Sequence, residues 1–133
     1  MILSASATHA LRALAWLASR EDDGAMLGRD LARKVKLPPD YLSKVLATLA
    51  RTGVLTASRG VKGGYRLARP AKRIKLIEVV LPFEGKRARP ACLLHPDRPC
   101  RDSGACSAHG AWGGVKDAYL VFLEKTTLAD IRP

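Results

Sequence analysis

The chain has 133 residues, enough for one domain with its own core, and 47% of them are hydrophobic, which excludes a disordered polyelectrolyte. No apolar run reaches bilayer length, and the N-terminus has neither the early positive charge nor the clean apolar core of a signal peptide. The expectation is a cytoplasmic protein with no membrane partner. The net charge is +11, and the window from Arg29 to Lys75 carries all of the excess, with thirteen Lys and Arg against Asp30 and Asp40. A concentrated basic region is the footprint of a polyanion partner, and a surface tuned only for solubility does not explain the concentration.

Residues 3–19 read as a helix, with Leu3, Ala7, Ala10, Leu11, Leu14, Leu17 and Ala18 on one stripe and Ser4 or Ser6 as its cap. EDDG is a polar turn. Residues 27–36 form a second, short helix with Leu27, Leu31 and Val35 inward. At LPPD, Pro38 and Pro39 break the chain and Asp40 caps a third helix over 41–53, with Leu42, Val45, Leu46 and Leu49 inward and Gly53 as the stop. VLTASRG and YRLAR flank a basic, Gly-rich tip and read as a β-hairpin. Helices followed by a basic hairpin are in the order of a winged helix-turn-helix. The fold class is therefore mainly α with a small hairpin wing, followed by a long C-terminal dimerisation helix.

Residues 74–83 read as a helix ending near Pro82 and Gly85. Residues 86–110 are irregular by composition, and runs of that length are functional or disordered. From His109 the helical period returns, with Trp112, Val115, Tyr119, Phe122 and Leu123 on one stripe. That stripe is too apolar to face water on a projecting arm, so it is expected to pack against the same helix of a second copy. The division expected is 1–85 as the DNA-binding domain, 86–108 as a cysteine-bearing loop, and 109–133 as the dimerisation helix and tail.

In the basic window, helix 41–53 is the expected recognition helix. Its outward residues Tyr41, Ser43 and Lys44 are placed to meet base edges, with Thr48 and Arg51 further along. At the hairpin tip Arg59 and Lys62 are placed to reach phosphate or the minor groove, and Gly63, with its neighbouring glycines, allows close approach to a backbone. The partner expected is double-stranded DNA.

All three cysteines lie within fifteen residues, spaced Cys92-x7-Cys100-x5-Cys106, and His109 follows three residues on. An odd cysteine count in a reducing compartment argues against a structural disulfide. Thiolates gathered in one loop suit zinc, copper(I) or an iron–sulfur cluster. The absence of CxxC knuckles and the wide spacing favour the larger object, a cluster. His95, between Leu94 and Pro96, is the competing ligand and reads as loop surface. Cys106 with His109 also resembles a nucleophile and base, but no oxyanion motif or substrate loop accompanies them. An enzyme is thus the last reading and no small-molecule substrate is expected.

The helix-1 segment MILSASATHALRAL, the turn and helix LPPDYLSKVLATLARTGVL, the wing SRGVKGGYRLARPAKRI, Glu84–Gly85, the three cysteines and TTLADI together resemble the IscR/NsrR-type family of winged-helix regulators. The resemblance implies a homodimer on a palindromic operator, with an iron–sulfur cluster held by Cys92, Cys100, Cys106 and a variable fourth ligand. CSAHGAW resembles the cluster-biogenesis regulators, which implies His109 as that ligand and [2Fe–2S] as the cluster. In nitric-oxide sensors the cluster is often [4Fe–4S] and the extra ligand can be an acidic residue near position 8 of the partner's first helix, but here that position is Thr8, with His9 beside it. The seven residues between Cys92 and Cys100 are more than the family usually has. The expected function is a dimeric, sequence-specific regulator that senses redox state, nitric oxide or cluster supply. The alternative is the same fold sensing through zinc or thiols.

Overall fold

The computed structural model describes residues 2–85, 88–98 and 101–133. Five α-helices and one hairpin run in the order α1 (Ala5–Ala18), α2 (Gly28–Val35), α3 (Pro39–Arg51), β1 (Leu55–Ser58), β2 (Gly64–Leu67), α4 (Leu76–Glu84) and α5 (His109–Lys125). Short 3-10 turns lie at Glu21–Asp23, Ala71–Arg73 and Leu128–Ile131. None of the described helices is long and apolar enough to cross a membrane.

Helix α1 starts where Ser4 Oγ accepts the Ala7 N–H at 3.2 Å, satisfying an amide that the first turn leaves open. Its buried face is Ala7, Ala10, Ala13, Leu14, Leu17 and Ala18. The small alanines let α4 lie close against it. Helix α2 ends with Lys36 in the left-handed region, φ 57°, and the Leu37 N–H closes back on Ala32 C=O at 2.9 Å. Arg12 adds a donor to the same helix end, 2.7 Å from the Val35 carbonyl.

Two local expectations are corrected. Pro39 does not stand in the break before α3; it is the first helical residue, where a missing N–H costs nothing, and Pro38 takes the flanking position. Asp40 accordingly lies in the first turn, where the helix dipole favours a carboxylate, and makes no capping bond. Helix α4 runs through Pro82 to Glu84 and stops at Gly85, φ 56°, where its end was expected.

The hairpin is antiparallel, with Leu55 opposite Leu67 and Ser58 opposite Gly64. A third, one-residue rung was not predicted: Met26 and Tyr65 exchange backbone hydrogen bonds of 2.9 and 2.7 Å, tying the wing to the entrance of α2. Gly64 is required for this approach. Its φ is 132°, and a Cβ there meets the Met26 carbonyl in hard contact.

The core joins α1, α2, α3 and α4, and the C-terminal segment enters it too. Leu123 is 1% exposed and Leu128 is fully buried. The Leu76 N–H donates to Thr126 C=O and the Leu128 N–H to Ile74 C=O, both at 2.9 Å. The expected α5 stripe therefore divides. Leu123 faces its own core, with Tyr119 packed against it, while Val115 and Phe122 stay about half exposed. A helix whose 3.6-residue period places Leu123 inward turns Val115 and Phe122 roughly a quarter turn to its side, where they are half covered.

Candidate nucleic-acid interface and cysteine loop

On α3 the buried residues Leu42, Val45, Leu46 and Leu49 fix which side faces out. Ser43, Lys44 and Arg51 are exposed on that side and Ala47 is half-buried among them. Thr48 donates its hydroxyl to Lys44 C=O at 3.1 Å and accepts from Arg51 Nη2 at 3.2 Å, which steers the guanidinium along the helix. Ala47 is a position the sequence reading did not single out. Its small side chain leaves the centre of this face low.

Tyr41 is held differently. Its half-buried hydroxyl lies 3.0 Å from His9 Nδ1 and 3.3 Å from Ser6 Oγ, and the two rings meet edge to face at 5.5 Å. Tyr41 thus pins the start of α3 to α1, a role no local sequence signal indicates because the partners lie more than thirty residues away.

At the wing tip Arg59, Val61 and Lys62 are exposed, and the Gly63 N–H closes the turn on Gly60 C=O at 2.9 Å. Gly63 is buried, and a Cβ there comes within 2.5 Å of Ser58 O. Its role is to make the turn. The wing base is anchored at Ala71, whose N–H reaches Glu21 Oε2 at 2.8 Å, and at Arg69, 2.6 Å from Glu78. Burial pushes the Glu78 carboxyl up. The Arg69 hydrogen bond, the Lys75 N–H and the charges of Arg69 and Lys75 outweigh that and hold it below the ordinary carboxylate value.

The described part of the cysteine loop is strapped to α5 at two points. Arg89 pairs with Asp117 at 2.6 Å, and Trp112 Nε1 donates to Ala91 C=O at 2.8 Å. Half-buried Cys92 and exposed Cys106 border one cavity of about 360 Å³, together with His95, Arg98 and Arg101. His109 is the first residue of α5 and lies outside that lining. Its Nε2 is 2.8 Å from Asp102 Oδ1. Cys100 lies outside the described residues. Among the described residues no three His, Cys, Asp or Glu side chains gather closely enough to hold a metal ion. Two thiols on one cavity, with an imidazole at the adjoining helix start, make a soft donor set that suits an iron–sulfur cluster. Asp102, Arg98 and Arg101 were not foreseen, because an irregular loop has no period from which to read its neighbours.

Helix α4 and α5 meet beside this loop. The Ser4 N–H donates to Glu84 Oε1 at 2.7 Å, and the buried Tyr119 hydroxyl has no hydrogen-bond partner among the described residues. Burial first, and the Glu84 charge second, push the Tyr119 phenol up.

A helix-turn-helix with a hairpin wing and a basic outward face defines a transcription regulator of the winged-helix class. The model of the Rrf2 family, described as an iron-dependent transcriptional regulator, matches residues 3–132, and the chain belongs to that family. It is 36% identical to an HTH-type transcriptional regulator of Synechocystis sp. over 98% of this chain and 87% of the other. It is 28% identical to the regulator NsrR of Halalkalibacterium halodurans over 98% and 90%. Among solved structures it is similar to the T. potens IscR, with 25% identity, a TM-score of 0.76 and coverage of 97% and 84%. The fold also matches CymR, the global cysteine regulator of B. subtilis, with 24% identity, a TM-score of 0.80 and coverage of 98% and 95%.

Proposed function

We propose that this protein is a dimeric, cytoplasmic, sequence-specific DNA-binding regulator whose affinity for its operator depends on an iron–sulfur cluster, with [2Fe–2S] favoured over [4Fe–4S]. It acts by binding, not catalysis. Residues 1–85 form the DNA-binding part, 86–108 the sensing loop, and 109–133 the dimerisation segment. Ser43, Lys44, Thr48 and Arg51 present to the major groove. Tyr41 sets the angle of α3, Arg59 and Lys62 form the wing contact, and Gly63 makes the turn that presents them.

Cys92, Cys100, Cys106 and His109 would hold the cluster, which when bound supplies one-electron redox chemistry and sensitivity to oxidants and nitric oxide. The observation that carries this reading is that Cys92 and Cys106 border one cavity beside the start of α5. The thiolates bind, Trp112 and Arg89 orient the loop on α5, and α5 packs on α4 of the DNA-binding part. A change in the loop thereby reaches the spacing of the two recognition helices. Support for the dimer comes from Val115, Val121 and Phe122, which are 45–52% exposed on α5. Phe122→Glu is expected to give monomers by sedimentation.

Anaerobic purification with visible spectroscopy, iron and sulfide analysis and gel-shift titration tests the proposal. A coloured dimer is expected, its operator affinity falling steeply with salt as counterions are released. Wild-type iron content in the triple cysteine variant overturns the ligand assignment. Exposed Cys106 favours a second reading, thiol sensing without a cluster. A colourless protein whose DNA affinity follows reversible oxidation of Cys106 selects it.

A further inference from the structure

We infer that Asp102 is the positioning residue for His109 and that it selects which ring nitrogen faces the iron; the inference rests on the cluster reading above. Asp102 Oδ1 lies 2.8 Å from His109 Nε2, and the two residues approach across the turn that leads from the loop into α5. A carboxylate only accepts, so a neutral ring must donate from Nε2 and keep its lone pair on Nδ1. A ligating histidine needs that lone pair on the metal side and a fixed ring plane, and a carboxylate on the opposite nitrogen provides both. The pair is asymmetric in exposure. The Asp102 side chain is fully exposed and that of His109 is 27% exposed, so the carboxylate approaches from solvent while the ring lies against the protein. Placing the anion outside the ring also adds negative charge near the iron. It therefore lowers the reduction potential relative to a neutral partner.

His95 is the competitor, since it borders the cavity with both thiols. His109 differs from it in being fixed twice, by the start of a helix and by a carboxylate. No carboxylate partner is seen at His95 among the described residues.

The test has a metal-free arm and a loaded arm. In the metal-free protein, nitrogen-15 NMR of the imidazoles is expected to report His109 protonated at Nε2, and Asp102→Asn is expected to mix the two tautomers. For the loaded arm, protein labelled with histidine carrying nitrogen-15 at Nδ1 alone or at Nε2 alone is reconstituted anaerobically with iron and sulfide. The reduced protein is then examined by pulsed electron paramagnetic resonance. Strong coupling to Nδ1 that disappears in His109→Ala and persists in His95→Ala is expected. In Asp102→Asn the iron content should hold, the potential should rise and the coupling should spread over both nitrogens. Asp102→Glu should restore the wild-type pattern. Coupling through Nε2, loss of coupling in His95→Ala, or an Asp102→Asn protein with unchanged potential and coupling overturns the inference while leaving the cluster intact. A wild type that takes up no iron and sulfide overturns the cluster reading itself, and the role of Asp102 with it. The NMR arm then still tells whether the hydrogen bond exists.

Discussion

The winged domain and the cysteine loop are built on opposite principles. In the domain Leu14, Leu31, Leu42, Leu46 and Leu49 are fully buried, each contributing on the order of 1.5–3 kcal/mol by leaving water. Among the described residues of 88–108 only Ala88 is buried, and the straps are one exposed ion pair and one indole hydrogen bond. Exposed ion pairs are worth about 0–1 kcal/mol. Burial therefore positions the outward face of α3 in advance, whereas the loop holds its thiols with little energy of its own. Such a division is what the proposed sensing role requires, since a reading surface must persist and a sensing segment must be cheap to rearrange.

The sharpest way to break the contrast is Leu46→Ala. It leaves a cavity between α3 and the rest of the core and should cost about 2–5 kcal/mol in chemical denaturation. Any cysteine-to-alanine change should leave the same denaturation curve within about 0.5 kcal/mol. If the two cost the same, the loop is part of the core after all.

Gly64→Ala should cost about 1–3 kcal/mol, since it combines a strained φ with a clash on Met26. Its effect should be read as loss of amide protection at Met26 and Tyr65 before the rest of the domain. Global loss of protection would instead make the wing inseparable from the core.

Glu78 gives a pH test. Its folded-state carboxyl is held below the ordinary 4.5, so its contribution is complete above 4.5 and is lost as pH falls through the depressed value. The Glu78–Arg69 pair is about a third exposed, which keeps the contribution below about 1 kcal/mol. Thermal melts from pH 6 down to 3 should fall less steeply for Glu78→Gln than for the wild type.

The smallest expected change in stability is for Arg89→Ala, under about 0.5 kcal/mol, because the pair with Asp117 is exposed. Hydrogen exchange in residues 88–98 should nevertheless rise. That pairing of near-constant stability with faster exchange is the signature of a loop held by its straps.

The same contrast explains what the sequence revealed. Helices α1, α3 and α5 carry apolar periods, and the wing carries turn chemistry, so their order was readable, as were the outward Ser43, Lys44 and Arg51 of α3, though not the placing of Tyr41. Pro39 was misread as a break because proline at a helix start has the same local appearance as one that ends a helix. The Tyr41–His9 contact, the Met26–Tyr65 rung and the return of Leu123 and Leu128 to the core depend on distant partners and left no local trace. In the loop, chemistry was visible in the residue types, Cys92, Cys106 and His109. Their neighbours Asp102 and Arg98 were not, since neither period nor burial organises that segment.

The closure at Leu76–Thr126 and Ile74–Leu128 has a consequence for biosynthesis. Helix α4 cannot complete its packing until residues 123–128 have been made, about forty residues after the end of α4. The nascent chain must therefore wait, and its thiols leave the ribosome before that packing can close. Chains held on the ribosome by a C-terminal extension, with only residues up to 110–122 outside the exit tunnel, should carry α1–α3 with an unfinished base and their cysteines open to solvent.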